Sequence, residues 1–375
     1  MIKILFAGDF APRARVTQLI EEGNYSDVLS EVLPYTSNSD YSVINLEAPV
    51  VNMKSTQGID KYGPHLSCTS HAIGALKYAG FNLVTLANNH LNDYGPTGVL
   101  NTLDLCKEAD LDTVGAGADL SKASITLFKE IKGKVFAFIN CCEHEFSVAT
   151  EELPGANPLN PVCQFRAITE AKLKADYVIV IVHGGHEHYQ LPSPRMKELY
   201  RFYADVGADV VINHHQHCYS GYEKYKESMI FYGLGNFCFD IVPHQVNNPW
   251  NFGYMVELSF DKTMTYKILP YNQCGSIAKV EMLSLDAFDI YIEELNSIIL
   301  DDKILQFKTE EYYKSSQSWE YSVLEPYRGR VANKLFSLGL LPKFVKGRKI
   351  PQILNHVECE SHRDKLIYAL RKRLK

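Results

Sequence analysis

Three histidines within four positions, His214, His215 and His217, follow the apolar run Val210-Val211-Ile212 after a single asparagine. Imidazole is a base near neutral pH, a proton donor when charged and a metal ligand when neutral. Packing alone rarely selects so many of them at one strand end. Polar residues end four other apolar runs: Asp9 closes IKILFAGD, Glu47 closes YSVINLE, Asn88-Asn89-His90 closes NLVTLANNH, and His183 closes YVIVIVH. A lone Asp in such a place is ordinarily a turn or cap residue, but five strands doing this together point to one shared rim. Carboxylate, amide oxygen and imidazole, with no obligatory thiolate, suit Zn²⁺, Mn²⁺ or Fe²⁺; an all-oxygen shell suits Mg²⁺ or Ca²⁺. His215 and His217, two apart, share one face of a straight strand and can grip an ion together, with His214 facing the other way. His186 and His188, in HGGHEHY, stand further out on a Gly-Gly loop as pocket lining, with Glu187 between them to orient a histidine or bind substrate.

These residues need a scaffold that brings strand ends together. The runs that carry them are continuously apolar, as parallel strands covered on both faces are. Helical stretches lie between them. In SPRMKELYRFYADVG, Ser193 is placed to cap, Pro194 fits the first turn and Gly207 ends the helix. Met196, Leu199, Tyr203 and Val206 make its expected inner face. A hairpin turning at Lys132-Gly133 adds antiparallel β. The sum is an α/β domain over residues 1–272, in which ligands collect beyond the carboxyl ends of the strands. Residues 273–375 change character and read as a mostly helical extension, with helix expected again over 362–375. From Leu324 onward there are thirteen Lys or Arg against four Asp or Glu. Two readings of that basic tail stay open: a helix docked on its own domain, or a contact with an anionic membrane surface or a synthase partner.

The chain has 375 residues, 46% hydrophobic and 22% charged, with a formal net charge of −6. That is an ordinary globular composition, and nucleic acid is not an expected partner. Nine scattered cysteines without a C-x-x-C pair suggest reduced, packed thiols. No leader-like segment follows Met1 and no apolar run is long enough to span a bilayer. The expected location is therefore cytoplasmic, or peripheral to the inner face of the membrane.

The motifs GDF, NLE, LANNHLNDYG, HGGHE, GADVVINHHQH and YGLGNFCFD occur in the order of the CapA family of capsule and poly-γ-glutamate synthesis proteins, which residues 1–242 resemble. That family resembles the calcineurin-like metallophosphoesterases. The resemblance implies a four-layer α/β/β/α sandwich around one or two divalent ions, Mn, Zn or Fe. It implies Asp9, Glu47, Asn89, His183, His215 and His217 as ligands, Glu47 near the bridging position. His90 is implied as general acid, with Asp93 holding its tautomer, and Asn236 of the Gly-Asn-Phe box shapes the site and contacts substrate. Two positions depart from the phosphoesterase pattern. Ala11 stands where Asp-x-His has its imidazole, and Glu47 replaces an aspartate.

Lys61 and His65 lie on a polar loop overhanging the same rim and are placed to attract an anionic substrate, although an ordinary surface loop reads the same way. Three functions follow. The first is a metal-dependent hydrolase acting on an anionic polymer or a phosphorylated small molecule in surface-polymer synthesis. The second is a non-catalytic assembly component that binds polymer or synthase through the same cleft. In the third the histidines are structural, bonded to one another with no common centre.

Overall fold

The computed structural model describes residues 1–51, 57–61, 63–241, 248–284, 289–327 and 329–358, together with 362, 366 and 370. The described strands run β1 (Ile2–Phe10), β2 (Tyr41–Leu46), β3 (Leu83–Thr85), β4 (Asp112–Val114), β5 (Ala116–Gly117), β6 (Leu127–Ile131), β7 (Lys134–Cys142) and β8 (Gly155–Ala156). They continue with β9 (Tyr177–His183), β10 (Val210–His214), β11 (Tyr222–Tyr225), β12 (Ser228–Phe231), β13 (Asn236–Cys238), β14 (Phe252–Phe260), β15 (Met264–Gln273) and β16 (Val280–Met282). One sheet has the order β16-β15-β14-β1-β2-β3-β4, with β13 added alongside β1, and the second runs β11-β12-β10-β9-β7-β6.

Three apolar cores separate four layers. Phe6, Val43, Leu83 and Val256 of the first sheet meet Phe138, Ile181 and Ile212 of the second. The far face of the first sheet packs Leu5, Ile44 and Val84 against Val16, Ala72 and Leu76 from the helices Ala14–Glu21 and His71–Tyr78. The far face of the second packs Val180 and Val211 against Ile168, Met196 and Tyr203 from the helices Pro161–Lys172 and Pro194–Asp205. Alternate residues of each central strand thus serve different cores, which is why these strands read as unbroken apolar runs. The arrangement is the α/β/β/α sandwich expected from the resemblance.

Local chemistry agrees with the reading at several points. Ser193 accepts a hydrogen bond from the Met196 amide, and Gly207 closes the helix with φ 121°. Its inner face uses Met196 and Tyr203 with Tyr200, while Leu199 and Val206 are only half-buried. Lys132 and Gly133, both at positive φ, turn the β6–β7 hairpin.

The compact unit is Met1–Gln306, and a second unit spans Phe307–Lys375. The expected boundary at 272 falls inside the first, because β16 pairs with β15 and the helix Asp289–Leu300 follows. In the second unit the helix Asp302–Leu324 continues from the first, and the helices Arg330–Ser337 and Lys349–Glu358 are amphipathic. The helix expected over 362–375 lies, apart from residues 362, 366 and 370, outside the described residues. Among the described residues no helix is long and apolar enough to cross a membrane.

Candidate metal centre

The parallel strands of both sheets end at a common edge. Asp9 is at the end of β1, and Glu47 follows β2 with its amide bonded to the Phe10 carbonyl at 2.9 Å. Asn88 fixes the next turn: its Nδ2 donates to the Leu46 carbonyl at 2.8 Å and its Oδ1 accepts from the His90 amide at 3.1 Å. His183 ends β9, and His214 ends β10. The segment from β12 to β13 crosses between sheets, since the Leu234 amide bonds to Asn213 in one and Asn236 pairs beside Asp9 in the other. That crossing needs glycine twice. A Cβ on Gly8 would lie 1.9 Å from the Gly235 carbonyl oxygen, and Gly235 itself has φ 79°.

His215 and His217 come together, but not as residues of a strand. The strand stops at His214, and His215 (φ 89°) and His217 (φ 58°) adopt left-handed backbone. Such conformations cost a non-glycine residue about 1–3 kcal/mol and persist where the surroundings fix them. Strand alternation therefore does not explain the pair. His214, expected to face away, has Nδ1 3.2 Å from Asp9 Oδ1.

Six polar groups converge. Two sets of potential ligand atoms, Glu47/His183/His215 and Asp9/Glu47/His217, each lie within 4.8 Å of one another, and Glu47 belongs to both. His183 Nε2 is 3.5 Å and His217 Nε2 3.8 Å from Glu47 Oε1. Asn89 Oδ1 and His215 Nδ1 lie 3.0 and 3.1 Å from His183 Nε2. Both Glu47 oxygens are buried with no hydrogen-bond partner among the described residues. Leaving a buried acceptor unsatisfied costs about 1–3 kcal/mol, more when it is charged. Burial, with Asp9, Glu187, Glu145 and Asp93 nearby, pushes the Glu47 carboxyl well above its ordinary range. For Asp9, burial acts upward, but the imidazoles of His214, His183 and His217 outweigh it and hold the carboxyl low. Burial also draws His183 well down and His217 to about 4, keeping both imidazoles neutral. A buried carboxylate lacking donors, ringed by neutral imidazoles, fits a divalent cation.

His217 is held from behind. Its Nδ1–H donates to Asn236 Oδ1 at 2.9 Å, and Asn236 Nδ2 donates to the His217 carbonyl at 3.0 Å. Asn236, expected among the substrate-contacting residues, is thus turned onto a histidine, the usual way a ligand imidazole is oriented. Asp93 does the same for His90, accepting from Nδ1 at 2.7 Å. The other Asp93 oxygen takes Lys61 Nζ, whose side chain is 2% exposed, and the Leu66 amide bonds to the same carboxylate at 2.7 Å. Lys61, expected to attract substrate, is already paired. His65 donates within its own loop to the Ile59 carbonyl at 2.7 Å, and His186 is half-buried on the loop after β9. Neither His65 nor His186 is among the residues lining the cleft over the site, whereas Asn89, His90, Glu187 and His217 are.

That cleft holds about 340 Å³ and is lined as well by His188, read from its motif as pocket lining, and by Arg13, Glu145, Phe146, Phe239 and Trp250, which the motif reading did not single out as site residues. Cys218 and Cys238 are buried and unbridged, burial pushing the Cys218 thiol up to about 12, as for packing residues.

The pattern of the bacterial capsule synthesis protein family PGA_cap matches residues 3–241, which include every residue of this centre. The chain belongs to this family. It is 36% identical over 247 residues to the capsule biosynthesis protein CapA of Bacillus anthracis, a match over 64% of this chain and 60% of that one. The PGA biosynthesis protein CapA of Bacillus subtilis is 35% identical over 239 residues, 63% and 62% of the two chains. The match thus spans about three fifths of either relative. A solved phosphatase from Mycoplasma pneumoniae aligns at TM-score 0.44 and 19% identity, over 77% of this chain and 98% of that one. A likeness at that score adds nothing to the fold described above.

Proposed function

We propose that this member of the capsule synthesis family is a divalent-metal-dependent phosphoester hydrolase. Its substrate is an anionic polymer or a phosphorylated small molecule of cell-surface polymer synthesis. The observation that carries the reading is Glu47, shared by two ligand sets with both carboxylate oxygens buried and unbonded. Asp9, Glu47 and His217 would hold one ion. Glu47, His183 and His215, with Asn89 beside them, would hold a second. The N and O donor set suits Mn, Zn or Fe. A bound ion supplies Lewis-acid polarisation of a phosphoryl oxygen.

The protein's own residues carry the proton. Asp93 accepts from Nδ1 of His90, so Nε2 is the position from which His90 protonates a leaving oxygen. Lys61 neutralises the other side of Asp93 and fixes the carboxylate that orients the ring. Phe146, Trp250 and Phe239 narrow the cleft and limit water around the reacting group.

A second reading, a non-catalytic assembly component, is favoured by Ala11. It is fully buried in the helix-side core and supplies no imidazole where the phosphoesterase pattern has one. Metal analysis of fresh protein and a panel of phosphomonoesters and phosphodiesters with Mn²⁺ separate the two. The hydrolase reading expects bound metal, turnover, and a loss of about 10²–10⁴-fold in His90→Ala with metal retained. An empty site in the wild-type protein refutes it. Metal without turnover, with capsule formation intact in His90→Ala, favours the assembly role.

For the basic second unit we propose a peripheral contact with an anionic membrane surface at the cytoplasmic face. The thirteen cationic residues after position 323 are interspersed with Val331, Leu338, Leu340 and Phe344, which are 51–75% exposed.

A further inference from the structure

Arg13 and Arg15 lie two residues apart at the start of the helix Ala14–Glu21 that follows β1, and their surroundings differ. Arg15 is fully engaged: Nε and Nη2 donate to the two Asp240 oxygens at 2.8 and 2.9 Å, and its remaining donors reach the carbonyls of Cys274, Gly275 and Ser276. Arg13 is half-buried in the wall of the cleft and makes no side-chain hydrogen bond or ion pair with a described residue. Its guanidinium lies over the Phe239 ring at 5.7 Å, and Trp250 packs edge-on to that ring at 5.1 Å. Burial draws its pKa down while the Glu47 carboxylate pulls it back up, and an arginine stays charged throughout.

A charged fork held partly out of water without an acceptor costs free energy that a bidentate oxyanion returns. The aromatic support matters, because a guanidinium resting its face on a ring keeps its in-plane N–H donors for a ligand. The rest of the cleft is acidic, with Glu145 and Glu187 in the wall and Asp9, Glu47 and Asp93 beneath. Its other cation, Lys61, is paired with Asp93. Among the described lining residues Arg13 is therefore the cation left to meet an anion.

We propose that Arg13, backed by Phe239 and Trp250, is an oxyanion-binding subsite beside the metal centre. It takes an oxyanion that can accept two hydrogen bonds from the fork, carboxylate or phosphate, of the ligand that occupies the cleft. The inference takes from the hydrolase reading only the position of the cleft and deepens it by assigning the anion-recognition residue.

The test is binding by the full chain, measured by calorimetry with Mn²⁺ present and again in EDTA. The probes are inorganic phosphate and a γ-linked tri-glutamate, and the proteins are wild type, Arg13→Met and Arg13→Lys. The expected result is that the wild type binds at least one probe and Arg13→Met binds it at least tenfold more weakly. Arg13→Lys, which keeps charge but not the fork, recovers only part of the loss. All three proteins keep equal Mn²⁺ occupancy. Preference for phosphate identifies a phosphorylated ligand, and preference for tri-glutamate a polycarboxylate chain. A change of less than tenfold in Arg13→Met, no binding of either probe by the wild type, or loss of Mn²⁺ from Arg13→Met overturns the assignment. A wild type that takes up no Mn²⁺ when Mn²⁺ is supplied, yet loses probe binding on Arg13→Met, overturns the hydrolase reading and leaves the subsite standing.

Discussion

Replacing Glu47 by Gln tests the metal centre through stability, with no need to know the substrate. The wild-type carboxyl is buried, lacks donors and lies near Asp9, so its folded-state pKa is raised. A carboxyl raised on folding makes the native state bind more protons than the unfolded chain. Its contribution is neutral below the unfolded value of about 4.3 and becomes a penalty as pH rises toward the folded value. The slope of that penalty approaches about 1.4 kcal/mol per pH unit. Metal-free Glu47→Gln, which carries no charge, therefore equals or exceeds the stability of the metal-free wild type, and its advantage grows from about pH 4.5 upward. Metal reverses the order. At one hundred times its dissociation constant an ion stabilises the wild type by about 2.7 kcal/mol, a rise of roughly 5 °C in Tm for a unit of this size. The variant loses the oxygen shared by both ligand sets and gains little. Scanning calorimetry of both proteins at pH 5 and 7.5, in EDTA and in Mn²⁺, reads all of these combinations. Equal Mn²⁺ shifts in wild type and variant, or a less stable metal-free variant at pH 7.5, would refute the role given to Glu47.

Asn236→Ala frees the His217 ring, and Mn²⁺ affinity measured against a chelating dye is expected to fall about 10–100-fold while the folded unit persists. Gly8→Ala drives a methyl into the Gly235 carbonyl and is expected to lower stability by about 1–3 kcal/mol or more, read as a lower urea midpoint. Exchanging Lys343 and Lys346 for Glu in the full chain should cut co-sedimentation with anionic vesicles at low salt. Unchanged vesicle binding would remove the membrane contact from the basic unit.

The strand ends were legible because a strand buried on both faces leaves a long apolar run, and a polar residue closing it stands out. Asp9, Glu47, Asn89, His183, His215 and His217 could be read in that way, and the structure brings them to one edge. The path of His215 and His217 was not legible, since period-two spacing is the same in a strand and in the left-handed bend that carries them. The strand β15 carries Pro270, a residue that argues against central pairing. It is accommodated because β16 begins its pairing only at Tyr271. Lys61 and Asn236 have the chemistry of substrate contacts, and only coordinates reveal that Asp93 and His217 already occupy them. Arg13 and Trp250 carry no periodic signal. A cation four residues after the strand-closing aspartate was the one available hint.

Each of the two ligand triads draws on both sheets. Asp9 and Glu47 come from the strand ends of one, and His183, His215 and His217 from the other. A cation seated there would act as a rivet through the middle of the sandwich, joining halves that otherwise meet mainly across interdigitated apolar side chains. Sliding of one β-layer over the other would then be resisted by coordination bonds, so chelation should loosen amide-exchange protection far from the rim, at the opposite ends of both layers.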